Sequence, residues 1–179
     1  MAAPRTLPGR DAPGQATGSG TLADLRALLG DAGFGDVAKL LQSGNVVLAS
    51  DLPGPAVGRA VEEAIPERLG MDVAAVVRTR EEVRAVVDLD PLGEVAVDGS
   101  RSLVAFMAEP PGPGLAELLG STEPGDDRWA VVGRELYLWC PHGQMDSPLV
   151  TALGRGRGGP VTTVRNWNTV RELAALLDR

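Results

Sequence analysis

The second half of the chain alternates short apolar runs with apolar residues at helical spacing, and this alternation restricts its fold more than any other feature. The apolar runs have the length of strands and lie at 103–107, 129–132, 136–139 and 160–164. Helical spacing marks Leu115, Leu118 and Leu119, then Leu149, Val150 and Leu153, and finally Val170, Leu173, Leu176 and Leu177. The predicted order of elements is therefore β-α-β-β-α-β, followed by one more helix.

This order is that of a split βαβ, or ferredoxin-like, unit. The first half of the chain predicts the same series without its first strand. It comprises a helix that begins at Thr21, a hairpin of strands at 37–41 and 46–49, a helix from Val57 to Leu69, a strand at 73–77 and a helix opened by a Thr79–Glu82 capping box. We expect Pro66 to end or distort the second of these helices before its last turn.

A short internal repeat links the two halves. Val77-Arg78 is followed by Val83-Arg84, and the same two motifs recur at Val164-Arg165 and Val170-Arg171, displaced by 87 residues in both cases. Each stretch runs from the end of a predicted strand into a predicted helix. We therefore predict an α+β fold made of tandem duplicated ferredoxin-like units, the first without a recognisable first strand.

The distribution of Gly and Pro indicates where the units begin and end. Residues 1–20 are rich in both and show no strand or helix period, which predicts a disordered or aberrant tail. A connector of mixed Pro, Gly and acidic residues follows the third helix. The predicted organisation is a tail at 1–20, a first unit at 21–90, a linker at 91–100 and a second unit with an extra C-terminal helix at 101–179.

Charge and composition argue against several classes of function. The formal net charge of −7 disfavours nucleic-acid binding by bulk charge. No apolar stretch approaches the roughly 18 residues that a membrane span requires. One cysteine, Cys140, and one histidine, His142, cannot form a zinc site of the Cys/His kind, and as a nucleophile–base pair they lack an orienting third group. We expect a soluble, cytoplasmic protein with no metal site and no cofactor.

The motif Arg165-Asn166-Trp167-Asn168-Thr169 is the strongest candidate for a binding site, because it lies where a strand ends and a helix begins. Helix N-termini attract anions, Arg165 could clamp a carboxylate or phosphate, and Trp167 could stack on a planar ligand. The alternative is a purely structural role. In that interpretation Asn166 or Asn168 is the N-cap of the helix and Thr169 opens a capping box.

Two further segments are weaker candidates. In the first hairpin turn, Gln42 and Asn45 carry amide groups that could contact a ligand, although Gly44 and Asn45 are also the residue types that a tight turn requires. The glycine-rich basic loop at 155–159 could bind phosphate, but a solvated loop is the favoured interpretation.

Three functions stay open at this point, and no catalytic residue can be assigned. The first is binding of an anionic or planar metabolite in a cleft between the two units, lined by Gln42, Asn45, Arg165, Asn166, Trp167 and Asn168. The second is a non-enzymatic structural or protein-interaction module, whose open sheet would pair with a second copy. RNA binding is disfavoured, because it needs aromatic residues on an open sheet face, where only Tyr137 and Trp139 are candidates.

Three patches together resemble a known bacterial family. They are Leu22-Ala-Asp-Leu-Arg-Ala-Leu-Leu29, Leu41-Gln-Ser-Gly-Asn-Val-Val47, and Gly133-Arg-Glu-Leu-Tyr-Leu-Trp139 followed by Arg165-Asn-Trp-Asn-Thr169. The chain is similar, from about Thr21 to its C-terminus, to the family called domain of unknown function 1697. The resemblance implies a tandem pair of ferredoxin-like domains, and it implies no reaction.

The N-terminus departs from this family. Its members open with an apolar strand that would be central in the first sheet, whereas Pro4 and Pro8 cannot donate to a central ladder. Either the first sheet lacks an inner strand, or residues 1–20 are a shifted reading frame. Equal length with a lost pattern favours the frame shift, and sequencing the 5′ end of the coding region tests it.

Overall fold

The computed structural model describes residues 22–40, 45–69, 73–155 and 159–178, and it has a mixed α+β architecture with two antiparallel sheets. Its helices are α1 (Leu22–Asp31), α2 (Gly54–Leu69), α3 (Arg80–Leu89), α4 (Pro113–Ser121), α5 (Pro148–Arg155) and α6 (Trp167–Leu177). Its strands are β1 (Gly35–Leu40), β2 (Asn45–Ala49), β3 (Ser102–Met107), β4 (Arg128–Val132), β5 (Glu135–Trp139) and β6 (Thr162–Asn166).

Packing divides the chain into two compact units, and the boundary lies between Thr79 and Arg80. Unit 1 contains α1, β1, β2 and α2, whereas unit 2 contains α3 and every element after it. The linker predicted at 91–100 follows α3, whereas the boundary between the two packed units precedes α3. The predicted domain limits stay a prediction. None of the helices that the structure describes is long and apolar enough to cross a membrane.

Unit 1 is organised around a two-stranded sheet. β1 and β2 pair antiparallel, and the register shifts between Gly35 and Ala38, where Asp36 adopts a φ of 45°. Such a shift is the mark of a β-bulge, which bends the strand. Apolar residues of α1, α2 and the sheet form one core cluster, namely Leu28, Leu29, Phe34, Val46, Val57, Val61 and Ile65.

The strand predicted at 73–77 is absent. Val73, Ala75 and Val77 do pack against the core cluster of unit 1, as their alternation predicts, but the segment has no ladder of hydrogen bonds. Within the part of the chain that the structure describes, no strand pairs with it. The backbone N–H of Ala75 instead donates to Oε1 of Glu62 on α2, at 2.8 Å.

Pro66 does not end α2, contrary to the expectation from the sequence. The helix continues to Leu69. A proline inside a helix removes one hydrogen bond and costs about 3 kcal/mol. Val57, Val61 and Ile65 of the same helix are all buried in the core cluster, and this packing offsets the local penalty.

Unit 2 is built on a four-stranded antiparallel sheet in the order β4-β5-β3-β6. The chain enters it as β3-α4-β4-β5-α5-β6, which is the order predicted from the sequence. One face of the sheet packs against α4 and α5. Its core cluster consists of Leu103, Ala105, Met107, Leu119, Leu136, Leu138, Cys140 and Leu149.

The opposite face of this sheet is also covered. α6 contacts β3 and β6, and α3 packs against α6. Val104 and Phe106 are completely buried, while Tyr137 and Trp139 are only 4% and 9% exposed. The two aromatic residues do lie on one face of β5, but they are not accessible for base stacking.

Candidate functional site

The β6–α6 junction holds the four candidate residues of unit 2. β6 ends at Asn166 and α6 begins at Trp167, so the junction has no intervening loop. Arg165 pairs with Val104 of the central strand β3 and is 7% exposed. Its Nη1 donates to the carbonyl of Val164 at 2.6 Å. The guanidinium is therefore a buried group that bonds to the backbone of its own strand.

Asn166 is the N-cap of α6. Its backbone is extended, with φ −74° and ψ 159°, and its side chain accepts a hydrogen bond from the N–H of Thr169 at 2.9 Å. This bond satisfies one of the backbone donors that a helix leaves without an intrahelical partner. The capping role that the sequence allowed for Asn166 is the one that it has.

Asn168 fastens α6 to the loop that precedes β3. Its backbone N–H lies 3.4 Å from the carbonyl of Gly99. A Cβ at Gly99 would lie 2.3 Å from Oδ1 of Asn168, so only glycine leaves room for this side chain. Trp167 is half-buried and Asn168 is exposed. Since the amides of Asn168 and Thr169 already have protein acceptors, the first turn of α6 does not offer them to an anion.

The two candidates in unit 1 are less informative. Gln42 lies outside the described residues. Asn45 is the first residue of β2 and is completely buried. The ligand-binding role of the six candidate residues stays a prediction.

Cys140 and His142 do not contact each other as a nucleophile and a base would. Cys140 is completely buried, and this burial raises the pKa of its thiol. His142 is exposed, and its Nε2 lies 2.9 Å from Oδ2 of Asp126. That hydrogen bond lowers the pKa of the Asp126 carboxyl. The described residues contain no group of three or more His, Cys, Asp or Glu that could hold a metal ion.

The sequence patterns did not predict one buried polar contact, the hydrogen bond between Ser147 and Asp127. Ser147 Oγ donates to Oδ2 of Asp127 at 2.6 Å and accepts from the N–H of Val150 at 3.0 Å. Ser147 and Asp127 are 2% and 4% exposed. The contact thus caps α5 and ties it to the residue that precedes β4. The Ser147-Pro148 pair signals a helix start, but nothing in the sequence points to a partner 20 residues earlier.

The outer edge of β4 is the second feature that the sequence did not single out. β4 pairs with β5 in a continuous register from Arg128–Trp139 to Val132–Glu135. The hairpin turn contains Gly133 at φ 60°. No strand in the ranges that the structure describes pairs with the other side of β4. Trp129 is 36% exposed and Val132 is 41% exposed.

Comparison with known proteins identifies a family match and a similar fold. Residues 17–137 match the family model described as "Protein of unknown function (DUF1697)". Among solved structures, the chain is similar to the conserved bacterial protein SP0830 from Streptococcus pneumoniae, with a TM-score of 0.76 and 17% sequence identity over 99% of this chain and 97% of that one. At this identity the likeness shows the fold alone. No curated protein matches the chain.

Proposed function

We propose that this chain, which belongs to the DUF1697 family of proteins of unknown function, serves as a non-catalytic protein-interaction module that accepts an extended strand at the outer edge of β4. The observation that carries the proposal is that β4 is a regular, largely apolar edge strand, whose outer side pairs with no strand among the described residues. An unpaired edge offers a row of backbone donors and acceptors to another chain. Strand addition to a sheet edge is a common mode of peptide recognition.

The register of the β4–β5 hairpin determines which backbone groups face outward. Val132 pairs with Glu135 across the hairpin turn, and such a closing pair exchanges hydrogen bonds. Bonded and non-bonded pairs alternate along antiparallel strands, so Ala130 also directs its N–H and C=O toward β5. Trp129 and Val131 therefore direct theirs toward the outer edge, where a partner strand would bind them.

β4 lacks the features by which edge strands usually avoid pairing. Those features are charged side chains, prolines and bulges. Trp129, Ala130, Val131 and Val132 are apolar, and the pairing with β5 has no irregularity. Arg128 supplies the one charge of the strand, at its first position. The middle of β4 therefore carries no side chain that opposes a partner strand.

The β6–α6 junction, the strongest candidate site from the sequence, supports this proposal because its polar groups already have partners within the protein. A binding site there would need free amides at the start of α6 and accessible polar side chains. The N–H of Thr169 is bonded to Asn166 instead, and Arg165 is buried beside the backbone of its own strand. These contacts are what a structural joint requires.

We also propose that the fold is the tandem ferredoxin-like duplication that the sequence predicts. α3 begins at Arg80 and α6 at Trp167, the same displacement as that of the sequence motifs. Arg78 and Arg165 are both buried, and each donates from Nη1 to the carbonyl of the preceding valine, at 2.9 and 2.6 Å. A shared side-chain conformation at matched positions is expected of a repeat, and it supports a common origin of the two segments.

The function is tested with a phage-displayed peptide library panned against the full-length protein and two variants. Val131→Pro removes an outward N–H that bonds to no strand in the described ranges, and proline is tolerated at such an edge position. Val131→Thr is the matched control, because it keeps both the N–H and the β-branched shape. We expect extended, alternating apolar peptides to be enriched on the wild type and on Val131→Thr, and to be lost on Val131→Pro. Equal enrichment on all three, or none on any, would overturn the proposal.

A further inference from the structure

We infer that the strand that occupies the outer edge of β4 is β4 of a second copy of the chain, paired antiparallel about a two-fold axis at Ala130. This inference rests on the proposed function and names its partner. An isologous contact requires a surface that is complementary to itself. In a pairing about Ala130, the backbone groups, the side-chain sizes and the charge of β4 are all compatible with a second copy of the same strand.

The backbone of β4 is complementary to itself in this register. A two-fold axis at Ala130 places Trp129 opposite Val131 of the partner subunit, and Val131 opposite Trp129 of the partner subunit. These are the two residues of β4 whose N–H and C=O groups face outward. Since each bonded pair of an antiparallel ladder exchanges two hydrogen bonds, the two pairs form four bonds. Ala130 lies on the axis as a non-bonded pair, where Cα atoms approach to about 4.5 Å.

The side chains on both faces fit this pairing. Val131 packs with the core cluster that faces α4 and α5, so Trp129 lies on that same face. Each Trp129 would contact Val131 of the partner subunit, and aromatic and β-branched residues make favourable cross-strand pairs. On the other face the smallest residue of β4, Ala130, meets its own copy. No bulky side chain therefore lies on the axis.

The charge of β4 is compatible with this pairing. Arg128 is the one charged residue of the strand, and the two-fold relation places it opposite the uncharged Val132 of the partner subunit. The two copies of Arg128 therefore lie at opposite ends of the ribbon.

The contact is short, so the dimer should dissociate on dilution. Interfaces of this size belong to weak and transient complexes. Sedimentation equilibrium across the micromolar to millimolar range is therefore the first test. We expect the wild type and Val131→Thr to show a concentration-dependent dimer, and Val131→Pro to raise its Kd by about tenfold or more through the loss of two of the four bonds.

Cysteine cross-linking tests the register itself. Ala130→Cys places two thiols on the axis, at a Cα separation that a disulfide spans. Val132→Cys is the matched control, because Val132 and its copy would lie about 13 Å apart along the ribbon, four residues at the rise of a strand. Cys140 is completely buried and is present in both variants. We expect an oxidised dimer of Ala130→Cys and none of Val132→Cys.

The outcomes separate this inference from the proposed function. A wild type that stays monomeric at all concentrations, while the library still yields peptides that need the N–H of Val131, would overturn the second copy as partner and leave the docking edge intact. A dimer that Val131→Pro does not weaken, or equal cross-linking through Ala130→Cys and Val132→Cys, would overturn the inference by placing the contact elsewhere.

Discussion

Unit 1 and unit 2 contain similar strand-type and helix-type segments, yet in the described residues the sheet of unit 1 has two strands and that of unit 2 has four. In unit 2 the central strands β3 and β5 each have two neighbours. In unit 1 the described residues form one hairpin, and the segment at 73–77 runs beside the core without a ladder. The difference shows that side-chain alternation determines which residues face a core, whereas a strand also needs a neighbour for its backbone.

The largest expected effects compare the cores of the two units. Phe106 is completely buried between the sheet and α6, and Phe34 is 5% exposed beside a two-stranded sheet. Phe106→Ala and Phe34→Ala should each destabilise their own unit by about 3–5 kcal/mol, with Phe106 at the upper end because a layer packed on both sides cannot collapse into the cavity. Hydrogen exchange resolved to β3 and β1 measures both. Equal losses in the two units would contradict the comparison.

Tyr137 reports on unit 2 alone, because it is the only tyrosine of the chain. Burial, together with the nearby Glu135 and Asp90 carboxylates, raises the pKa of its hydroxyl to about 12. In the unfolded chain the Tyr137 hydroxyl ionises at a lower pH than in the folded protein. The contribution of Tyr137 to the free energy of unfolding is therefore complete below pH 10 and is lost as the pH rises to about 12. Phenolate absorbance should show a midpoint about two units higher in the folded protein than in urea.

The control for this titration is Tyr137→Phe, which should remove the alkaline loss of stability without altering the acid limb. A folded-state midpoint at the ordinary tyrosine value would mean that this face of the sheet is open to water. That result would contradict the description of unit 2 as covered on both faces.

Two Ser–Asp hydrogen bonds of equal length test how strongly burial increases the contribution of such a bond to the free energy of unfolding. Ser147 bonds to Asp127 and Ser100 to Asp98, each at 2.6 Å, but the first contact is buried and the second is exposed. Ser147→Ala should cost about 1–3 kcal/mol, because it leaves a buried carboxylate without this donor and removes a helix cap. Ser100→Ala should change the free energy of unfolding by less than about 0.5 kcal/mol. Chemical denaturation measures both, and similar costs would refute the argument from burial.

A somewhat smaller effect than that of Ser147→Ala is expected at the segment 73–77 in unit 1. Glu62→Ala removes the acceptor of the Ala75 N–H and should cost about 1–2 kcal/mol. Glu63→Ala is the matched control, since its exposed side chain is the next one along α2. Exchange of the Ala75 amide should accelerate only in the first variant. If it accelerates in neither, the segment has another source of order.

Sequence patterns were sufficient for unit 2 because each of its elements is stabilised by near neighbours. The 103–107 run became β3 with one residue added, and Asn166 caps α6 as a residue of its type should. They failed at 73–77 and Pro66, where the outcome depends on a neighbouring strand or on distant packing. The Asp127–Ser147 contact joins residues from separate segments, and no local spacing encodes it.

The outer edge of β4 was not predicted for a related reason. Hydrophobic patterning identified the hairpin, but which strand lies at the edge follows from the order β4-β5-β3-β6, and that order is a property of the whole unit. Ala130 and Val131 look alike in the sequence. Only the register with β5 assigns an inward N–H to one and an outward N–H to the other.

These two adjacent amides provide the most direct test of the proposed docking edge. Hydrogen exchange of Ala130 and Val131, followed by NMR over a range of protein concentrations, compares a bonded donor with an unbonded one in the same strand. We expect the Ala130 amide to be protected at every concentration, and the Val131 amide to exchange freely in dilute protein and to become protected as the concentration rises. A Val131 amide as protected as Ala130 in dilute solution would contradict the docking edge itself, and one that exchanges freely at all concentrations would contradict the pairing of this edge with a second copy.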